Sequence, residues 1–258
     1  MSHLLLDTAL SFDTAVSLGL VPGWSLVRII GHNNDIDSGT EDLWGQGGVK
    51  TWPTAAGAVT VVSSSINDAA AGTGARTVLV EGLDANYNPI SELYTMNGTT
   101  DVVGLQLFFR VQRIQAVTCG SGGENAGAIT ATLGGNVQSS MAAAFGASRD
   151  GHYTVQAGYQ FLVTLYELTC GRLGTGDLEL NAFIREYNAN SDSNYNAWRC
   201  VSSIDMSEGS VPQVAPRGRI VQARADIRIQ GISNAANLAT SVVIVGFLID
   251  NNALIQSR

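Results

Sequence analysis

The chain reads as an all-β protein of the antiparallel β-sandwich or jelly-roll type, built as two sandwich units with an N-terminal arm. Three observations point there. Apolar and polar residues alternate with period two over most of the 258 residues. Clusters of Gly, Asn, Asp and Ser punctuate those runs at short intervals. No segment carries the three-to-four-residue apolar spacing of an amphipathic helix. Hydrophobic residues make up 45%, enough to fill a core of ordinary size.

Each run follows from the pleat, which sends successive side chains to opposite faces. Residues 4–20 put Leu4, Leu6, Leu10, Phe12, Val16, Leu18 and Leu20 on one side and Asp7, Ser11, Asp13 and Ser17 on the other. That length suits two short strands or an extended arm. Residues 25–30 form a strand leading into a polar loop at 31–37. Further strands are expected at 58–63, 76–83, 105–117, 128–133, 160–169, 177–187, 195–204 and 240–250. The 105–117 run changes phase near Arg113, as a bulge or bend would make it do. The most regular strand is 220–230: Val221, Ala223, Ala225, Ile227 and Ile229 face one way, and Gln222, Arg224, Asp226, Arg228 and Gln230 the other. One packed and one polar face suit a sandwich layer. Composition shifts near 45–48 and 148–151 divide the chain into an arm with leading strands (1–46), a first sandwich (47–147) and a second (148–258). No strict repeat favours a propeller or β-helix.

The surface chemistry is unusual. Only 14% of residues are charged, against about 25% in ordinary soluble domains. Lys50 is the single lysine beside thirteen arginines. Interfaces enrich arginine and deplete lysine, because a guanidinium sheds water more readily and makes several fixed hydrogen bonds. Codon bias would give the same exchange. The net charge of −8 disfavours binding to nucleic acid through its phosphates. Asp7 and Asp13, with no basic stretch before them, disfavour a signal peptide or membrane span. Cys119, Cys170 and Cys200 form no CxxC pair and read as buried small residues of a chain folded in a reducing cytoplasm.

Candidate chemistry is thin. His3, His32 and His152 are scattered, and only His32 has carboxylates close behind, Asp35 and Asp37. An exposed loop explains that group better than a metal or acid–base site. Asp84, Asn86 and Asn88 space oxygen ligands like a calcium loop. Pro89 stands where glycine is needed, however, and Thr95 where a bidentate glutamate is needed, so a hairpin turn accounts for them better. The carboxylate pairs Glu41/Asp42 and Asp177/Glu179 lack supporting groups. Tyr153, Tyr159, Tyr187, Tyr195 and Trp198 could stack a sugar, though cross-strand packing is the simpler role. No catalytic, metal or cofactor residue is assigned.

One stretch carries a resemblance. Residues 59–98 run Val-Thr-Val-Val-Ser-Ser-Ser-Ile-Asn-Asp-Ala-Ala-Ala-Gly-Thr-Gly-Ala-Arg-Thr-Val-Leu-Val-Glu-Gly-Leu-Asp-Ala-Asn-Tyr-Asn-Pro and end on Met-Asn-Gly. They are flanked by Trp44-Gly-Gln-Gly-Gly, Trp52-Pro-Thr and Gly120-Ser-Gly-Gly-Glu-Asn-Ala-Gly. This resembles virion structural proteins of tailed bacteriophages, especially those of marine bacteria. Tyr153-Thr-Val-Gln-Ala-Gly is similar too, with Gln156 where such proteins carry proline. The likeness covers residues 16–170; the last third matches only in strand pattern and length. It implies a non-enzymatic virion component: a capsid decoration (cement) protein on the capsid exterior, contacting the major capsid protein. A head-fibre, tail-fibre or adaptor part binding a receptor or glycan is the alternative. Self-association, with three-fold packing at capsomer junctions, is expected. The docking elements expected are the 4–20 arm and the turns at 67–74 and 188–194.

Overall fold

The computed structural model describes residues 10–171, 176–186, 197–206, 213–214, 218–234 and 237–255. A short helix α1 (Phe12–Ser17) comes first. The strands then follow as β1 (Trp24–Ile36), β2 (Glu41–Asp42), β3 (Gly57–Ser63), β4 (Ala75–Leu83), β5 (Pro89–Thr95), β6 (Val102–Phe108), β7 (Arg110–Cys119), β8 (Ile129–Leu133) and β9 (Asn136–Met141). After them come β10 (His152–Thr154), β11 (Tyr159–Cys170), β12 (Leu178–Arg185), β13 (Arg199–Met206), β14 (Gln213–Val214), β15 (Arg219–Val221), β16 (Asp226–Ser233) and β17 (Leu238–Asp250), then a terminal helix α2 (Asn251–Ile255).

Every strand pair is antiparallel, and the strands form four sheets around two cores. In the first unit, β6-β3-β8-β9 faces β5-β4-β7 across Val59, Val61, Val78, Val80, Phe108, Ile114, Ile129 and Met141. In the second, β1-β17-β11 with β14 and β15 faces β10-β16-β12-β13 with β2. Ile29, Ile36, Phe161, Leu180, Ile227, Ile229 and Ile244 fill that space. The chain crosses between the cores after β2 and again after β9. β1 pairs with β17 from Trp24↔Ile249 onward, so the first long strand and the last close the second core together.

Residues 10–20 do not continue a strand; residues 4–9 of that run lie outside the described residues. The even-numbered Phe12, Val16 and Leu20 satisfy period two and are also four apart, so the pattern fits a helix equally well. Local chemistry decides it. Ser11 caps the start by accepting from the Thr14 N–H at 3.3 Å, and Asp13 sits in the first turn, where the helix dipole favours an anion.

The 31–37 segment is not a loop: β1 runs on through His32 and Asn33 to Ile36. Gly31 permits this, because a Cβ there would lie 2.6 Å from the Gly151 Cα and 2.8 Å from the Leu43 carbonyl oxygen. The 105–117 run is two strands broken at Phe109, with a register shift where Glu81↔Arg113 gives way to Gly82↔Val111. The 220–230 run also divides. Arg224 takes φ +65, and the chain leaves β15, paired to β11, for β16, paired to β12. The alternation survived in the sequence because Val221 and Ile227 reach the same core from opposite sheets.

Candidate functional site

The polar face of β16 is not solvated. Asp226 is 1% exposed, Gln230 is buried and Arg228 half-buried, because this face turns toward the first unit. Register sets what stands beside each. Asp226 lies between Thr154 and Arg185, Arg228 between His152 and Phe183, and Gln230 between Asp42 and Asn181.

Asp226 is the hub. Arg110, the first residue of β7 in the other unit, donates Nε to its Oδ1 at 2.9 Å and Nη2 to its Oδ2 at 3.1 Å. Arg185 donates to Oδ2 at 2.7 Å, and the Thr154 hydroxyl to Oδ1 at 2.6 Å. Burial alone would push this carboxyl up; Arg110, Arg185 and Thr154 together outweigh it and hold it below the ordinary aspartate value. Arg110 also donates to the Pro53 and Phe109 carbonyls and lies 4.1 Å over the Phe109 ring. Gly82 makes room for this strand start, since a Cβ there would sit 2.0 Å from the Arg110 carbonyl oxygen.

Lys50 lies deeper in the same seam and is buried. Its Nζ donates to the Gln138 carbonyl at 2.7 Å and lies 2.5 Å from His152 Nε2, with the Trp52 ring centre 5.0 Å away. Burial lowers the ammonium to about 7, against the pull of Asp150. Burial, and then the charge on Lys50, pushes His152 well below 6.5. The contact is a hydrogen bond whose direction follows the His152 tautomer. Asp150 is raised by burial, opposed by Lys50 and by the Ser139 hydroxyl that donates to it. Trp52 stacks against Trp198 at 5.3 Å, with Arg110 and Arg185 each 5.4 Å from its ring.

The residues singled out from sequence are dispersed. His32 binds Ser241 and Asn34 within the sheet, and burial lowers its pKa; His3 lies outside the described residues. Asp35 donates its backbone N–H to the Asn33 side-chain oxygen, and Asp37 accepts from the distant Asn237 N–H. Asp84 accepts from the N–H groups of Asn86 and Asn88 and closes the β4–β5 hairpin. Glu41 accepts from Asn33 and Gly48, and Asp42 from the Lys50 N–H; burial raises Asp42. Asp177 and Glu179 line an open cleft of about 460 Å³ together with Asp205. Among the described residues no group of three His, Cys, Asp or Glu side chains converges as a metal site would require. Cys119 and Cys170 are half-buried and Cys200 is exposed, so the expectation of three buried thiols is corrected; Cys200 lies on the open β13 edge opposite Phe183.

Tyr153 and Tyr159 pack on the second core, and burial pushes the Tyr153 hydroxyl up to about 12. Trp198 is covered by Arg185 at 4.6 Å and Arg228 at 4.3 Å. Tyr187, Tyr195 and the turn at 188–194 lie outside the described residues. A second groove, of about 580 Å³, runs between β1 residues 26–30 and the ends of β4 and β5; Asp150 and His152 reach its lining but Lys50 does not. No helix among the described residues is long and apolar enough to cross a membrane.

What remains for interaction is the outside of the sheets. On β6, Val103, Leu105 and Leu107 are all exposed, Leu105 at 89%. Pairing places Leu107 beside Ala58 and Val103 beside Thr60, whose other neighbour is Thr132. No ionisable side chain stands on these positions of the face. The β6 edge is already capped: Glu92 accepts from the N–H groups of Leu105 at 2.7 Å and Gln106 at 3.1 Å. The turn at 67–74 is anchored by Asp68, which accepts from Ser63, Ala75, Ala126 and Gly127.

No family model matches the chain, and no curated protein matches it. Among solved structures it is similar to that of infectious bursal disease virus Gt strain at 12% identity, over 89% of this chain and 73% of that one, with a TM-score of 0.27. It is similar to the VP2 subviral particle of the same virus at 10% identity, over 88% and 72%, with a TM-score of 0.26. A likeness at such TM-scores says nothing about what the chain does.

Proposed function

We propose that the chain is a non-enzymatic structural protein of a virus particle that docks on the capsid exterior, beside the major capsid protein, and stabilises the shell. The observation that carries this reading is the uncharged face formed by β3, β6 and β8. Three large apolar side chains project from it, at an edge whose amides Glu92 already occupies. A capped edge disfavours strand addition and leaves the face itself as the contact. The segment resembling phage virion proteins, residues 59–98, folds as β3, β4 and β5 of this same unit. The net charge of −8 suits a position away from packaged DNA. The action is mechanical: contacts of about 1,200–2,000 Å² across capsomer seams resist outward pressure.

The test is cosedimentation of the full chain with particles stripped of it, alongside their heat resistance. Leu105→Asp is expected to abolish binding while leaving the circular dichroism and melting temperature unchanged. Undiminished binding by that variant would remove the docking face assigned here. A receptor- or glycan-binding fibre role drew on the aromatic residues of 187–198. Trp198 is packed beneath two arginines, so no observation among the described residues favours that role.

A further inference from the structure

We infer that the outer face of the β1-β17-β11 sheet is a two-fold interface between copies of this chain. The inference deepens the self-association expected of the proposed function and does not depend on capsid docking. Leu26, Arg28 and Ile30 point to this face from β1, beside Phe247, Val245 and Val243 of β17. Glu167 of β11 is paired with Val243 and so stands on the same side. Helix α1 covers only the Trp24 end, where Phe12 meets Trp24 at 5.2 Å and Phe247 at 5.4 Å. The rest is open.

Size is the first argument for a second copy. Of fifteen exposed large apolar side chains among the described residues, seven belong to this sheet face or to the segment beside it: Leu10, Phe12, Leu18 and Leu20 around α1, then Leu26, Ile30 and Ile220. Their exposed area comes to roughly 700 Å², close to the ~800 Å² that each partner buries in a standard interface.

Charge is the second. Arg28, His32 and Glu167 are the ionisable residues at the paired positions of the face; His32 is held by Ser241 and Asn34, whereas Arg28 and Glu167 make no hydrogen bond or ion pair among the described residues. They lie on the two strands flanking β17. A two-fold axis along β17 carries β1 of one copy over β11 of the other, which brings Arg28 toward Glu167 twice. Such an arrangement is isologous and self-complementary, and it closes at two chains.

The test is the mass of the full-length protein by sedimentation equilibrium across the micromolar range. A two-chain mass is expected, and Ile30→Asp should give one chain with an unchanged dichroism spectrum. Arg28→Glu should weaken association about tenfold by setting like charges opposite each other, and Arg28→Glu with Glu167→Arg should restore it. A single-chain mass for the wild type, a three-chain mass, or failure of the double reversal to restore association would each overturn the inference. The charge-reversal pair stays informative even if Ile30→Asp misfolds. Particle cosedimentation is read separately, so a dimer that ignores particles defeats the docking proposal and leaves this one standing.

Discussion

Replacing Asp226 with asparagine tests the idea that a buried charge joins the two cores. The substitution keeps the shape and removes the anion. Arg110 and Asp226 are 2% and 1% exposed, so water cannot replace the lost partner. Arg185, at 14%, is scarcely better placed. Breaking one side of a buried pair typically costs about 3–5 kcal/mol, because the remaining charge stays desolvated. For a chain of this size that corresponds to a melting temperature lower by roughly 10 °C. The matched control is Glu81→Gln, which breaks an ion pair to Arg113 whose side chains are 35% and 51% exposed; about 1 kcal/mol or less is expected there. Urea denaturation of the three proteins at neutral pH measures both differences. The pH response has a definite sign. The folded carboxyl titrates below its unfolded value of 3.8, so its contribution is complete above that pH and fades as pH falls through the folded value. The asparagine variant should lack that part of the acid limb. If Asp226→Asn lost no more than Glu81→Gln, the seam would not depend on its buried charge.

Lys50 gives a prediction of the same sign in a higher pH window. The folded amine titrates near 7 and the unfolded one at 10.5, so between them the unfolded chain holds a proton that the folded chain lacks. Stability should therefore rise with pH, by about 1 kcal/mol per unit above pH 7, and Lys50→Met should flatten the rise; equal slopes in urea titrations between about pH 7 and 8.5 would defeat the argument. Asp68 is fully buried and accepts four hydrogen bonds from three segments. Asp68→Ala is expected to cost about 3 kcal/mol or more by orphaning buried amides, with fast hydrogen exchange appearing first at the Ala75, Ala126 and Gly127 amides.

The strands were legible wherever one face of a sheet met a core. β12, β17 and the β4–β5 hairpin needed only alternation and an Asp-Asn-Pro turn, because each packs one side on a core. Alternation names the two faces of a strand but not what covers them. On β16 both faces are covered, and the charges of Asp226 and Arg228 read as solvated until Arg110, 116 residues earlier in the chain, is seen against them. Short strands such as β9 and β10 escaped because three to six residues hold too little pattern. The helix at residues 12–17 escaped because periods of two and of four coincide at every second even position. One signal did point to the seam: the only lysine stands between Trp44 and Trp52, an apolar setting for a charge that normally seeks water.

The excess of arginine over lysine takes a different meaning from this geometry. Read as a sign of interfaces, it pointed outward, to other subunits. Arg110, Arg185 and Arg228 instead stack on Phe109, Trp52, Trp198 and Phe183 inside the chain, and the first two share one carboxylate. Two β-sandwiches meeting across a polar face pose the same physical problem as two proteins meeting. The charge that enters must be planar, weakly hydrated and able to make several fixed bonds at once, which selects guanidinium over ammonium. Lys50 shows the alternative: burial takes it to the edge of losing its proton. The composition thus records an internal interface first. Among the described arginines Arg28 alone makes no hydrogen bond, ion pair or ring contact, and it remains to specify contacts with another chain.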